Sequence, residues 1–347
     1  MKLKRINNLV SIHSKPVFGT VKAEKRVMAL SIDKETKKPY IGLAREITRS
    51  QGTPDQLEFI DESKLIIVKS NDLLKWKKHS DLKIKDIEKI IKKLTENNKY
   101  FIGLEDPDIW NEDGIKHVYF TIAFKYKEKH GFEIYLGHAQ GEDLENLTAT
   151  LPVLSPIPKK NIMGFKEISI SPIETTQGRL NLNEVGIEDK KNKKDFSAIA
   201  LTHSRKIGKP FRYVRTVINP QEMPYHWIRG HASPCCFLPE DFLTYSNLLV
   251  GIINGREPSR IVNGEKIHGK FRPGFILFNP KTGEIPWIDS EPFLEDPDAR
   301  TITFASDFVK TGKDRGILYC HINDSFVRAY EINLKELEKY LKQKIKL

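Results

Sequence analysis

The chain has 347 residues, 39% hydrophobic and 30% charged, which excludes a disordered protein and suffices for one large core or two small ones. The net charge of +11 invites nucleic acid, but the basic residues are spread along the chain instead of forming a block, so nucleic acid is not expected as a partner. Cys235, Cys236 and Cys320 have neither metal-ligand nor disulfide-framework spacing, and no run matches a signal-peptide core or a membrane span; the chain reads as cytoplasmic unless a leader was removed, with no metal, cofactor or membrane partner.

In chain order, Val27-Met-Ala-Leu-Ser-Ile32, the turn Asp33 to Lys38 and Tyr40-Ile-Gly-Leu-Ala-Arg45 predict a hairpin, with Lys64 to Lys69 as a third strand. Asp72-Leu-Leu-Lys-Trp76 reads as a turn anchored by an aromatic. Between Lys83 and Asn98, Ile84, Ile87, Ile91 and Leu94 recur at helical spacing among lysines and glutamates, an amphipathic helix laid over a sheet. A β-meander follows: a short extended segment around Glu105, Asp106, Pro107 and Asp108, turn chemistry from Asn111 to Gly114, and strands from Lys116 to Tyr126 and Phe132 to Ala139. Further strands fall at Phe165 to Ile170 and Phe196 to His203, separated by a charged stretch, Asn183 to Lys194, that reads as an exposed loop. Trp227 to Leu238, Leu248 to Ile253 and Phe275 to Phe278 form the next unit. The last comprises Arg300 to Phe304, Gly316 to His321 and Phe326 to Glu331, after which Asn333 N-caps a helix from Leu334 to Leu347.

These units predict an all-β protein, a five-bladed β-propeller with an inserted amphipathic helix and a short C-terminal helix. It is one domain over residues 1–347, with blades roughly at 20–80, 100–140, 160–205, 225–280 and 298–333 and the helix at 334–347. About 69 residues per blade is long for such repeats, and the helix and loops absorb the excess. Leu104-Glu-Asp-Pro-Asp108 recurs as Leu294-Glu-Asp-Pro-Asp298, which reads either as a trace of internal repetition or as coincidence among common loop residues. In a propeller the inner strands line a central funnel, so acids from several blades converge there. Glycoside cleavage needs that convergence, since one carboxyl protonates the leaving oxygen while a second group activates water or a nucleophile. Clustered carboxylates such as Glu105, Asp106 and Asp108 also push one another's pKa values apart.

Gly103-Leu-Glu-Asp-Pro-Asp-Ile109 resembles the Glu-Asp-Pro-Arg signature of the β-mannoside phosphorylases and related hydrolases, glycoside hydrolase family 130. Tyr40 to Arg45, Ser70 to Trp76, Phe165 to Pro172 and Phe304 to Asp324 resemble further family segments in the same order, over about residues 27 to 332. Families 43 and 32 share the five-bladed architecture and stay open. The resemblance implies that Asp106 is the general acid, protonating the glycosidic oxygen through a sugar hydroxyl, and that Asp324 binds sugar; the plain alternatives are a turn-capping aspartate and a hairpin-turn residue. Glu167 is a candidate second carboxylate. Phosphorolysis would further require a basic clamp on inorganic phosphate, for which Arg45, Lys166, Arg205 and His231 are candidates. Trp110 and Trp227 are stacking platforms or core aromatics. Where the family carries arginine after the proline, this chain has Asp108, whose charge would repel phosphate. The expected function is therefore cleavage of β-mannosidic or similar oligosaccharides, hydrolysis favoured over phosphorolysis. A β-mannoside phosphorylase, a non-catalytic sugar-binding propeller and an interaction propeller are the alternatives.

Overall fold

A computed structural model describes residues 3–21, 25–53, 59–95, 98–128, 131–190, 194–263 and 265–345. Its strands follow one another in antiparallel runs. The first comprises Val27–Ile32, Tyr40–Gln51, Ile60–Ser70 and Lys77–Asp81; the second Lys99–Glu112, Ile115–Tyr126, Phe132–Gly141 and Leu147–Ala149. The third comprises Ile162–Ser169, Arg179–Asp189, Lys194–Ser204 and Arg212–Ile218; the fourth His231–Phe237, Leu248–Arg256, Phe271–Phe278 and Trp287–Ile288. Thr303–Lys310, Arg315–Ile322 and Phe326–Asn333 begin the last run, and Val10–His13 and Leu3–Arg5 from the other end of the chain complete it, with Val10 paired to Ile332. The first strand of each run packs against the first strand of the next, and Thr303–Lys310 packs against Val27–Ile32. Between runs lie apolar layers, such as that of Leu43, Ile67, Val118 and Phe120, which alternation along the strands delivers to one face.

All of these first strands carry a β-bulge. The register slips between Met28 and Ser31, Glu105 and Asp108, Lys166 and Ile168, Pro234 and Cys236, and Ala305 and Asp307. An extra residue in one strand of a pair bends the ladder and re-aims a side chain. Ala29, Asp106 and Glu167 sit in these bulges with φ of 50°, 47° and 46°.

Several expectations change. Lys99–Glu112 is not the short strand that its proline suggests but spans 14 residues, because Pro107 falls inside the bulge, where no ladder N–H is needed. The inserted helix covers only Ile87–Leu94. Asp86, at φ 64°, breaks it from Ile84, which instead pairs with Leu147 in a parallel bridge; 96–97 lie outside the described residues. The C-terminal helix is Leu334–Lys344, its N-cap Asn333 accepting from the backbone N–H groups of Lys335 and Glu336, and 346–347 are likewise outside the described residues. The segment from Asn183 to Asp189 is strand, not loop, with Asn183 and Glu184 fully buried; 191–193 are not described. Leu294 to Asp298 lies in the loop before Thr303, so it is no structural repeat of Leu104 to Asp108, whose counterpart in the last run is the bulge ending at Asp307. Among the described residues no helix is long and apolar enough to cross a membrane.

Candidate active site

The bulge at Glu105 to Asp108 turns Asp106 out of the ladder, and the left-handed backbone there is one that aspartate tolerates better than most residues. Arg45, delivered by the second strand of the first run, grips this turn: Nη2 donates to Glu105 Oε1 at 2.7 Å and Nη1 to Asp106 Oδ1 at 3.2 Å. Burial pushes the Glu105 carboxyl up to about 7, with Arg45 opposing and Asp106 adding to the rise. Glu167, in the bulge of the third run, is held well above the usual carboxylate range by burial and then by Asp106. Asp108 is pushed up to about 8 by burial and by Asp307. Carboxyls this close exchange protons as a group, so near neutrality the cluster still holds protons.

Two flanks support the cluster. On one, His321 Nδ1 accepts from the backbone N–H of Ala29, at 3.3 Å, which leaves the ring proton on Nε2, 3.2 Å from Asp324 Oδ1. The imidazole lies flat on Phe304, ring centroids 4.8 Å apart. Burial works against the Asp324 charge, but His321, Arg45 and Arg26 together hold its pKa below the usual range. Asp324 thus faces the same arginine as Asp106. Asp307 accepts from the backbone N–H of Ile32 at 2.9 Å and pairs with Lys34 at 2.9 Å, tying the first strand of the last run to that of the first.

On the other flank is a cavity of about 470 Å³, whose polar lining includes Lys166, Glu184, His231 and Arg256. Its remaining wall includes Phe59, Phe132, Met163 and Phe196. Glu184 is 1% exposed and stands between cations: its Oε1 is 3.1 Å from His231 Nε2 and 3.4 Å from Lys166 Nζ. Burial disfavours its charge, yet His231, Lys166 and Ser197 outweigh that and lower its pKa. Lys166 is raised in turn, burial being overcome by Glu184 and then Asp106. Burial lowers His231 against the pull of Glu184 and draws Arg256 down to about 10. A polar rim beside an apolar wall suits a polyhydroxylated ligand, which offers both C–H faces and hydroxyls.

Of the residues singled out from the sequence, Arg45, Glu105, Asp106, Asp108, Lys166, Glu167, His231 and Asp324 gather here, and three do not. Arg205 lines a separate hollow with His203, Arg212 and the turn Glu174 to Gly178. Trp110 donates to Glu112 Oε2 at 3.1 Å and packs against the core of the third run under Arg179. Trp227 is buried, donating to the Asp289 carbonyl at 3.1 Å; a Cβ at Gly255 or Gly274 would come within 2.3 or 2.5 Å of its indole, so both glycines make room for it. Trp227 is a core residue, and Trp110 is partly buried against a core cluster. Glu184, Arg256, Asp307 and His321 escaped the sequence reading. Glu184 had one usable signal, its place in the alternating Leu180-Asn-Leu-Asn-Glu-Val185. Among the described residues no group of three or more His, Cys, Asp or Glu could hold a metal ion.

No protein-family model matches this sequence, and no curated protein matches it either. Solved structures do match. The β-1,2-mannobiose phosphorylase of Listeria innocua, solved with β-1,2-mannobiose, superposes with a TM-score of 0.65 at 13% identity, covering 99% of this chain and 100% of its own. The chain has the fold of carbohydrate-acting proteins. MPT-4, a mannose phosphorylase from Leishmania mexicana solved with a phosphate ion, gives 0.58 at 13% identity over 97% of this chain and 91% of its own. MPT-1, a GDP-Man-dependent mannosyltransferase from the same organism, gives 0.54 at 13% identity over 92% and 89%. One fold therefore serves phosphorolysis and glycosyl transfer, and the reaction must be argued from the site.

Proposed function

We propose that this protein is a glycoside-cleaving enzyme acting on β-mannosidic or similar oligosaccharides, with water as the preferred acceptor and Asp106 as general acid. The observation that carries the reading is Asp106 itself, aimed by its bulge and gripped by Arg45 among carboxyls that keep protons near neutral pH. The fold we propose is a five-bladed propeller whose blades are the antiparallel runs and whose funnel is lined by their bulged first strands. The mutual packing of those strands, last against first, supports it.

Asp106 protonates the leaving oxygen through a sugar hydroxyl. Glu105, titrating about 7 beside Arg45, is poised to take a proton from the attacking water. Glu167 and Asp108, held protonated, donate hydrogen bonds to the sugar, and Asp324 accepts from it. The preference for water no longer rests on repulsion by Asp108, whose raised pKa leaves it neutral at pH 7. It rests on partnering: Arg45 is occupied by Glu105 and Asp106, and Lys166 and His231 share Glu184, so each of these bases already has a carboxylate where phosphate would need it free. The test is product analysis on β-1,2-mannobiose with and without phosphate. Free mannose formed without phosphate is expected. Phosphate-dependent release of mannose 1-phosphate would establish a phosphorylase instead, and absence of turnover on a panel of mannosides would leave a sugar-binding protein.

A further inference from the structure

Glu184 is the most deeply buried carboxylate of the cavity wall, and only one of its oxygens is engaged. Oε1 meets His231 and Lys166, while Oε2 is shielded from solvent and has no hydrogen-bond partner among the described residues. Arg256 Nε, on the same wall, is likewise buried and unpartnered. A buried, ionised oxygen with no donor costs free energy unless something supplies one, and the cavity it lines is large enough to admit that donor. A phosphate would bring its negative charge against the Glu184 carboxylate. A sugar hydroxyl can donate to Glu184 Oε2, and a neighbouring ring or hydroxyl oxygen can accept from Arg256. The apolar side of the cavity, Phe132 and Phe196, faces the same ligand with surface suited to the C–H face of a pyranose.

We propose that Glu184 is a specificity-determining residue that accepts a hydrogen bond from one particular hydroxyl of the bound oligosaccharide, Lys166 and His231 serving to hold its carboxylate in place. The inference rests on the function proposed above and adds to it the reading of a single hydroxyl. A site built to bond a hydroxyl discriminates against the analogue lacking it, because its own buried group is then left unpaired.

The experiment titrates β-1,2-mannobiose and its set of monodeoxy analogues into Asp106→Asn protein, with and without Glu184→Gln, following heat of binding. Glu184→Gln is expected to weaken mannobiose binding about 10- to 100-fold, the worth of a hydrogen bond to a charged group. For one deoxy analogue that loss should vanish, since the hydroxyl and its acceptor are then both gone. An equal loss on every analogue would mean that Glu184 only props up the cavity and would overturn the inference while leaving the enzyme reading intact. No binding of mannobiose to Asp106→Asn protein would overturn both. Glu184→Asp, which keeps the charge but withdraws the oxygen, guards against misfolding of the glutamine variant and should show the same analogue dependence; its absence counts against the inference.

Discussion

Leu104 to Asp108 and Leu294 to Asp298 are the same five residues in two settings, and they have become different things. In the first, the pentapeptide is part of a strand whose bulge turns its acids to an interior surface, where burial, with Asp106 beside one and Asp307 beside the other, raises Glu105 to about 7 and Asp108 to about 8. In the second, the strand is gone. Asp296 is 1% exposed and takes both oxygens to Arg328 Nη1, at 3.0 and 2.9 Å, with the Tyr330 hydroxyl donating to Oδ2, while Asp298 accepts from Arg328 Nη2 at 2.8 Å. An acid with both oxygens bound, by a guanidinium and a tyrosine hydroxyl, is structural cement; acids that each take a single bond from a shared arginine, beside further acids, are available for chemistry. Sequence identity decided neither outcome. The number of donors that each acid meets in the surrounding fold did.

That contrast can be broken experimentally at either end. The largest effect is expected for Asp106→Asn, which should lower turnover of an unactivated oligosaccharide about 10²- to 10⁴-fold while leaving the melting temperature nearly unchanged, since asparagine suits the left-handed backbone as well as aspartate does. Full turnover by this variant would remove Asp106 from the acid role. At the other copy, Arg328→Met should cost about 3–5 kcal/mol in a urea melt, because it strands a buried carboxylate, with little change in activity per folded molecule. A cost under about 1 kcal/mol would show that the loop does not depend on the pair.

A subtler difference is in pH dependence. Asp108, with its pKa raised to about 8, binds more protons folded than unfolded from roughly its ordinary value upward, so its contribution to stability is present at low pH and is lost as pH rises toward 8. The melting temperature should fall between pH 5 and 8, and Asp108→Asn should flatten that slope; an unchanged slope would locate the proton elsewhere. The smallest effect is expected for Asp298→Asn, whose side chain is 49% exposed, at under about 1 kcal/mol.

How far the sequence could be read follows from what each residue type signals locally. Alternating Val, Ile, Tyr and Phe marked the strands because a half-buried sheet leaves a period of two, and Asn333 marked the last helix because its amide satisfies two free N–H groups. The bulges were invisible. They depend on a partner strand supplying one residue against two, which no single segment records, so Asp307 and the turn of Glu167 could not be placed. Glu184 was misread for another reason: the charged stretch that follows it looks like a solvated loop, and only tertiary contact with Lys166 and His231 reveals that its strand is central. The tryptophans stayed ambiguous, because an indole suits a sugar platform and a core equally, and the glycines that make room for Trp227 in the core lie on strands 28 and 47 residues downstream.

The pairing of Val10 with Ile332 has a consequence for how the protein is made. The partner of strand Val10–His13 is synthesised roughly 320 residues after it, and at 5–20 residues per second the ribosome takes about 15 to 65 seconds to supply it. Over that interval Val10 and Ile12, almost fully shielded in the finished molecule, have no sheet to join. The earlier runs can form as they emerge, each from neighbouring strands, but the last waits for both ends of the chain. A chain cut before Phe326 would therefore leave the strand Val10–His13 with an unpaired, aggregation-prone edge.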